Sequence, residues 1–211
     1  MAFVDLDDFL ARARLRLDPV TGEERLAEGG DIEFLDADGI AGIRRAAVLV
    51  PIIPRAGGPA VLLTHRPDTM PTHPGQVAFP GGKVDPIDAD EIEAALREAE
   101  EEVGIDPDRI ELIARGAPYI TGTGFRIVPV LAVLHESFVA RPDPVEVDSV
   151  FETPLSFLMK AANHHRQQTS WKGQVRHYYE MPYDGHRIWG VTAGIIRALY
   201  ERLYEPGEEA A

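Results

Sequence analysis

The sequence predicts an α/β or α+β sandwich, a single domain with an N-terminal extension. Three observations predict it. Two apolar runs, AAVLVPII (46–53) and AVLLTHR (60–66), have the length and composition of buried strands. A spacing of 3–4 residues between apolar positions runs through 88–103 and again through 191–204, the mark of amphipathic helices. Gly- and Pro-rich turns separate these segments, and strands mixed with two or three helices bury their apolar faces only by stacking in layers.

Composition narrows the function classes. The chain has 211 residues, no Cys and a formal charge of −14. Without Cys there is no disulfide scaffold, no thiolate metal site and no thiol nucleophile. The acidic balance argues against a generic nucleic-acid binder. No apolar stretch approaches the ~20 residues of a membrane span. The start, MAFVDLDDFLARARL, carries acids early and lacks the apolar core of a secretory signal. The expectation is a cytoplasmic protein that binds neither nucleic acid nor membrane.

Residues 3–16 predict an amphipathic helix with Phe3, Leu6, Phe9, Leu10 and Ala13 on one face. Residues 17–40 are polar and Gly-rich and read as a linker or arm, so 1–39 is taken as an N-terminal helix and arm. They are a candidate cap for a second copy in a homodimer. The main domain is taken as 40–205, and 206–211 as a disordered tail. The runs at 46–53 and 60–66 flank PRAGGP, a hairpin-type turn. A Pro/Gly-rich loop, 67–82, ends in Phe79-Pro80-Gly81-Gly82. Strands are expected at 109–116 and 126–135 and a helix at 154–161. Residues 168–189 read as a hairpin turning at Tyr183-Asp184-Gly185.

The helix at 88–103 carries the chemistry. Asp88 followed by Glu91 has the pattern of a capping box, and Gly104 is placed for a left-handed C-cap. Ile92, Ala95, Leu96, Ala99 and Val103 form an apolar stripe. Glu91, Glu98, Glu101 and Glu102 form a second, acidic stripe. Residues 85–102 hold nine acids and one base, Arg97, a net −8 of the chain's −14. Like charges three and four residues apart cost about 0.2–0.5 kcal/mol per pair. A solvated acidic face is the plain explanation; a divalent cation held by hard carboxylate oxygens is the functional one. The Gly81-Gly82 pair just upstream allows close backbone approach to a metal or phosphate.

These residues resemble the box of the Nudix hydrolases, G-x5-E-x7-R-E-U-x-E-E-x-G-U, where U is apolar. Arg97-Glu98-Ala99-Glu100-Glu101-Glu102-Val103-Gly104-Ile105 matches its second half at every fixed position, and Gly82 matches its opening Gly. The box is one residue longer here, with Asp88 in the first acidic slot and Glu91 as its alternative. Upstream, Leu62-Leu63-Thr64-His65-Arg66, Gly75 and Phe79-Pro80-Gly81-Gly82 resemble the signature of the coenzyme A pyrophosphatase branch, with Pro67 and Pro71 as departures. Tyr119-Ile120-Thr121-Gly122 and Val128-Pro129-Val130 look like the same branch. The resemblance spans roughly 40–200.

The resemblance implies a Nudix α/β/α sandwich with a mixed central sheet and an N-terminal helical extension. It implies dependence on Mg²⁺ or Mn²⁺ and hydrolysis of coenzyme A to 4′-phosphopantetheine and adenosine 3′,5′-bisphosphate, with acyl or oxidised forms as related substrates. Glu98, Glu101 and Glu102 would ligate the metal with the Gly81 carbonyl. Arg97 would orient Glu98. The general base is Glu98 or Glu146, the latter from a late loop. Arg66, Lys83, Gly81 and Gly82 are expected at the substrate, with Lys172 and Arg176 as further cations for phosphate. His65, His73, His164 and His165 are possible ligands, though the adjacent 164–165 pair reads as surface. Trp171, Tyr178, Tyr179 and Trp189 read as core. The competing readings are a Nudix hydrolase of ADP-ribose or a dinucleotide polyphosphate, and a Nudix-fold module that binds without catalysis. Isopentenyl diphosphate isomerase, of the same fold, needs a Cys that this chain lacks.

Overall fold

The structure is a computed structural model that describes residues 4–70, 74–171 and 173–205. Phe3, Pro71, His73, Lys172 and the tail 206–211 lie outside the described residues.

The framework of the site is a mixed sheet. Its two long strands, β2 (Arg44–Ile53) and β8 (Phe125–Leu134), run parallel from Arg44↔Phe125 to Ile52↔Val133. β3 (Ala60–His65) pairs antiparallel with β2 at Ile52↔Val61 and with β9 (Ser149–Pro154) along its whole length. β6 (Ile110–Arg115) flanks β8 antiparallel. The run at 46–53 is apolar throughout because both its faces are covered. Leu49 and Ile53 pack under helix α3 (Glu91–Val103). Val50 and Ile52 pack on the opposite side against α1 (Leu6–Arg16) and α5 (Gly190–Tyr204). Helices thus cover both faces, giving an α/β/α sandwich.

A second sheet of β10 (His165–Trp171), β11 (Gln174–Tyr183) and β12 (His186–Trp189) leads into α5. The expected hairpin at 168–189 is therefore three strands. Its last turn does lie at Asp184-Gly185, where both residues have positive φ. The helix expected at 154–161 is one turn, α4 (Leu155–Leu158), followed by a 3-10 turn.

Several local expectations are corrected. His164, read as surface, is buried, with its Nε2 2.6 Å from the Leu158 carbonyl. Trp171, Tyr178, Tyr179 and Trp189, read as core, are only half-buried along the second sheet. The FPGG run does not end a loop. Gly81–Lys83 form a short strand, β5, that pairs with β2 at Val48↔Gly81 and Ala47↔Gly82.

The arm after α1 is tied down rather than free. Gly29–Gly30 (β1) pair parallel with Tyr119–Ile120 (β7). Asp18 and Arg115 exchange backbone hydrogen bonds of 3.1 and 2.8 Å. The Asp18 carboxylate is 1% exposed and accepts the N–H groups of Arg25 and Leu26 at 3.0 and 3.1 Å. Burial by itself would raise its pKa. Those two N–H groups and the Arg25 guanidinium outweigh burial and hold the carboxyl below its ordinary value. A carboxyl depressed on folding stabilises above its unfolded pKa of ~3.9 and loses that contribution as pH falls through its folded value. Asp18→Asn should cost ~1–3 kcal/mol in urea unfolding at pH 7. The gap to wild type should close below pH ~4; a gap independent of pH would contradict this account of the anchor.

Candidate active site

The site is built on α3, and the first correction concerns how α3 starts. Its N-cap is Asp90, not Asp88: the Asp90 carboxylate accepts the N–H groups of Ile92 and Glu93 at 2.9 and 3.0 Å. Asp88 is taken elsewhere. Its side chain, 1% exposed, receives Arg97 Nε at 2.9 Å and a second guanidinium nitrogen at 3.0 Å. The Arg97 guanidinium holds the Asp88 carboxyl below the usual carboxylate range. The extra residue in the box is absorbed in the turn between Asp85 and Asp90, before the helix begins. Glu91 does not replace Asp88; it pairs with Arg45 at 2.8 Å and Arg126 at 3.5 Å. Neither arginine was legible as a partner, because each comes from a strand far away in the chain.

Helix α3 is also turned relative to the expected stripe. Ala94, Ala95, Ala99 and Val103 are fully buried, whereas Ile92 and Leu96 are only partly so. The buried face is rotated by roughly 60° toward the acidic stripe, at 100° per residue. Small alanines let the helix lie close to β2, and Glu102 comes down to 4% exposure. There its Oε2 accepts the Gly81 N–H at 3.2 Å.

The two glycines make this approach possible. A Cβ on Gly82 would lie 2.4–2.5 Å from the Glu98 carboxylate, and one on Gly81 would lie 2.4 Å from the Ala47 carbonyl oxygen. At Gly81 the clash is with backbone, so no side chain fits; at Gly82 a Cβ fits only if the Glu98 carboxylate moves aside. On its other side Glu98 accepts Arg97 Nη1 at 2.9 Å. Glu98 thus sits between a glycine and a guanidinium, with little freedom to turn.

A loop supplies the third carboxylate. Arg141 and Asp143 donate backbone N–H groups to the carbonyls of Val103 and Glu102, both at 2.9 Å, and Glu146 follows in the turn closed by Asp143. Buried Val147 pins the loop to the core under α3. Carboxylate oxygens of Glu98, Glu102 and Glu146 then lie within 4.8 Å of one another. Glu101 is outside this triad; it is exposed and paired with Arg97 at 3.1 Å. Burial pushes the Glu102 carboxyl up to about 8, opposed by the Gly81 N–H and Arg66 and reinforced by the charges of Glu98 and Glu146. Burial also raises Glu98, against the pull of Arg97.

The expected cations have different fates. Arg66 follows β3, and its buried Nε has no hydrogen-bond partner. Lys83 is exposed, and its carbonyl accepts Arg97. Arg176 is bound to Asp31 of the arm.

Three converging carboxylates, one buried and destabilised by its neighbours, fit a hard divalent cation. Two substitutions follow. Glu102→Gln should lower turnover at least ~10³-fold, some 4 kcal/mol of barrier, without unfolding the chain. The raised carboxyl also sets a pH dependence for the metal-free protein. Its folded value of about 8 stands above the unfolded ~4.3, so its stabilising contribution falls as pH rises between them. In chelator, the urea midpoint of wild type should drop relative to Glu102→Gln from pH 5 to pH 8. Gly82→Ala should displace the Glu98 carboxylate and cut kcat ~10²-fold, as small misplacements do; wild-type kcat in that variant would count against the packing described.

The chain is similar in sequence to known proteins over most of its length. The NUDIX domain model matches residues 43–172. The uncharacterized Nudix hydrolase NudL of Photorhabdus laumondii is 37% identical over 200 residues, covering 95% of this chain and 98% of the relative. NudL of Escherichia coli K12 is 40% identical over 194 residues, 92% of each chain. The crystal structure of a C. elegans Ap4A hydrolase binary complex aligns with a TM-score of 0.47 at 26% identity, over 54% of this chain and 82% of that one. Nudix hydrolases generally depend on a divalent metal. With the domain matched over most of its length and relatives aligned nearly end to end, the chain belongs to the Nudix family and is a Nudix pyrophosphohydrolase acting on nucleoside diphosphate derivatives.

Proposed function

We propose that this hydrolase cleaves the diphosphate of coenzyme A, giving 4′-phosphopantetheine and adenosine 3′,5′-bisphosphate, with Mg²⁺ or Mn²⁺. The observation that carries the reading is Arg66. It is the first arginine of the branch signature, whose second is Pro71 here; it acts electrostatically on Glu102, and no described residue pairs with its side chain. Among carboxylates in an acidic protein, an arginine left unpaired beside the triad is a ready phosphate ligand.

The rest of the signature builds the seat of Arg66. Leu62 packs under α3 and Leu63 on the opposite face, which sets the pleat of β3. The Thr64 hydroxyl donates to the Ala78 carbonyl at 3.2 Å, and the Arg66 N–H to the Gln76 carbonyl at 3.0 Å. Gly75 has φ +64, and a Cβ there would lie 2.5 Å from the Asp68 carboxylate. Phe79 is buried beside Val77, and the Pro80 carbonyl accepts the Leu49 N–H at 2.8 Å.

In the reaction a water oxygen bonds to one phosphorus and the bridging P–O bond breaks, so each half leaves as a phosphomonoester. Glu98 and Glu102 would hold the divalent cation, with Glu146 in reach. The cation supplies charge neutralisation for the diphosphate and lowers the pKa of water. Arg97 orients Glu98, and Arg66 grips a phosphate oxygen. Glu146, exposed and without an ion pair among the described residues, is the base we assign to take the proton of water.

The test is hydrolysis of coenzyme A beside ADP-ribose and diadenosine polyphosphates with Mg²⁺ or Mn²⁺, products resolved by chromatography. Coenzyme A should give the highest kcat/KM, and Arg66→Gln should raise its KM at least ~10-fold, the worth of one charge-assisted hydrogen bond. A preference for ADP-ribose or a dinucleotide would overturn the substrate and leave the chemistry standing.

A further inference from the structure

A cavity of about 310 Å³ opens just past the C-terminus of α3, and none of its lining residues belongs to the catalytic cluster. Its floor is apolar: Ile105 and Leu134 are buried, and Ile110 and Phe138 are half-buried. Its rim is basic. Arg109, Arg141 and His135 line it, all exposed. The lining holds one acid, Asp106, whose carboxylate accepts the Asp108 N–H at 3.0 Å.

The two arginines are unusual for this molecule. With 35 acids to 21 bases, most arginines here find a carboxylate. Arg12, Arg14, Arg45, Arg55, Arg97 and Arg126 are among those that do. Among the described residues, Arg109 and Arg141 have neither an ion pair nor a side-chain hydrogen bond, a condition they share with Arg66 of the cleft and Arg166 of the second sheet. Two unpaired guanidinium groups on one rim, in a field that is negative overall, leave their charge for an anion. His135 adds a donor: its Nδ1 accepts the Ser137 N–H at 3.3 Å, which assigns the ring proton to Nε2.

We propose that this cavity is a second ligand site, which binds a phosphomonoester carrying a flat or apolar group. Arg109 and Arg141 take the phosphate, and the floor takes the organic part. Hydrolysis of any nucleoside diphosphate derivative releases phosphomonoesters, so the ligand is of the class that the enzyme itself produces. This inference rests on the pyrophosphohydrolase chemistry and is independent of coenzyme A as substrate. The site is wired to the catalytic carboxylates by covalent proximity. Arg141 opens the loop that ends in Glu146, and that loop donates to the carbonyls of Val103 and Glu102. An occupant held by Arg141 therefore acts on kcat rather than competing for the cleft.

The probe is AMP, titrated by calorimetry into the full chain in chelator, beside inorganic phosphate and adenosine. AMP should bind more tightly than either fragment. Its binding should survive Arg66→Gln and weaken at least about tenfold in Arg109→Gln/Arg141→Gln. That double variant should keep the wild-type kcat on the diphosphate substrate without AMP, and lose the non-competitive effect of added AMP. A second measurement uses the unaltered chain: AMP should shift the ¹⁵N amide signals of Gly104, Ser137 and Val139. The proposal is overturned by any of three outcomes. One is no AMP binding at millimolar concentration. Another is binding abolished by Arg66→Gln and unmoved by the double variant, with shifts confined to the cleft. The third is purely competitive inhibition equal in both proteins. Failure on coenzyme A with AMP binding intact would instead count against the substrate reading alone.

Discussion

The Arg97 guanidinium and the carboxylates around it govern the geometry of the active site. One side chain donates to Asp88 in the preceding turn, to Glu98 at the next helical position and to Glu101 one turn on. The Asp88 end is shielded from water, so that pair is stronger than an exposed ion pair worth ~0–1 kcal/mol. It fixes the guanidinium, and the guanidinium fixes Glu98 against Gly82. Without that clamp the like charges of α3 would spread apart. With it, Glu98 and Glu102 stay on one side of the helix, where the loop ending in Glu146 can meet them.

Close packing of backbone on helix is the second requirement. α3 rests on β2 through alanines, and β5, paired beside β2 in the same sheet, brings its two glycines up to the helix. That closeness buries Glu102 and raises its carboxyl to about 8, a state that disfavours the empty site and favours a cation. Stability is thus given up where function needs charge, in the manner usual for active sites.

The N-terminal segment has a comparable economy. Asp18 and the β1 pairing bring the arm to the edge of the sheet, and Arg126 joins Glu24 and Glu28 of the arm to Glu91 at the start of α3. Asp31 of the arm takes Arg176 of the second sheet. The arm therefore links the start of the catalytic helix to both sheets.

Much of this was determined by local sequence. The period of α3, its Gly104 cap at φ +71 and the strand runs at 46–53 and 60–65 follow from neighbours within a few residues. So does the choice of Gly at 81 and 82, since only a missing Cβ tolerates the approach that the motif requires. Tertiary structure decided the rest. Asp88 is drawn off capping because Arg97 outbids the helix for its carboxylate. The alanine face rather than the Ile92–Leu96 face turns inward, against Ala47, Leu49 and Ile53 of β2. Glu146 is brought beside Glu98 and Glu102 by a loop whose position depends on Val147 reaching a core built from distant strands, while Glu101 is turned to Arg97. Arg176 and His164 changed roles for the same reason: their partners, Asp31 and the Leu158 carbonyl, are set by the packing of separate elements. Local spacing fixes which residues can share a face, but which face meets which neighbour depends on contacts between segments far apart in the chain.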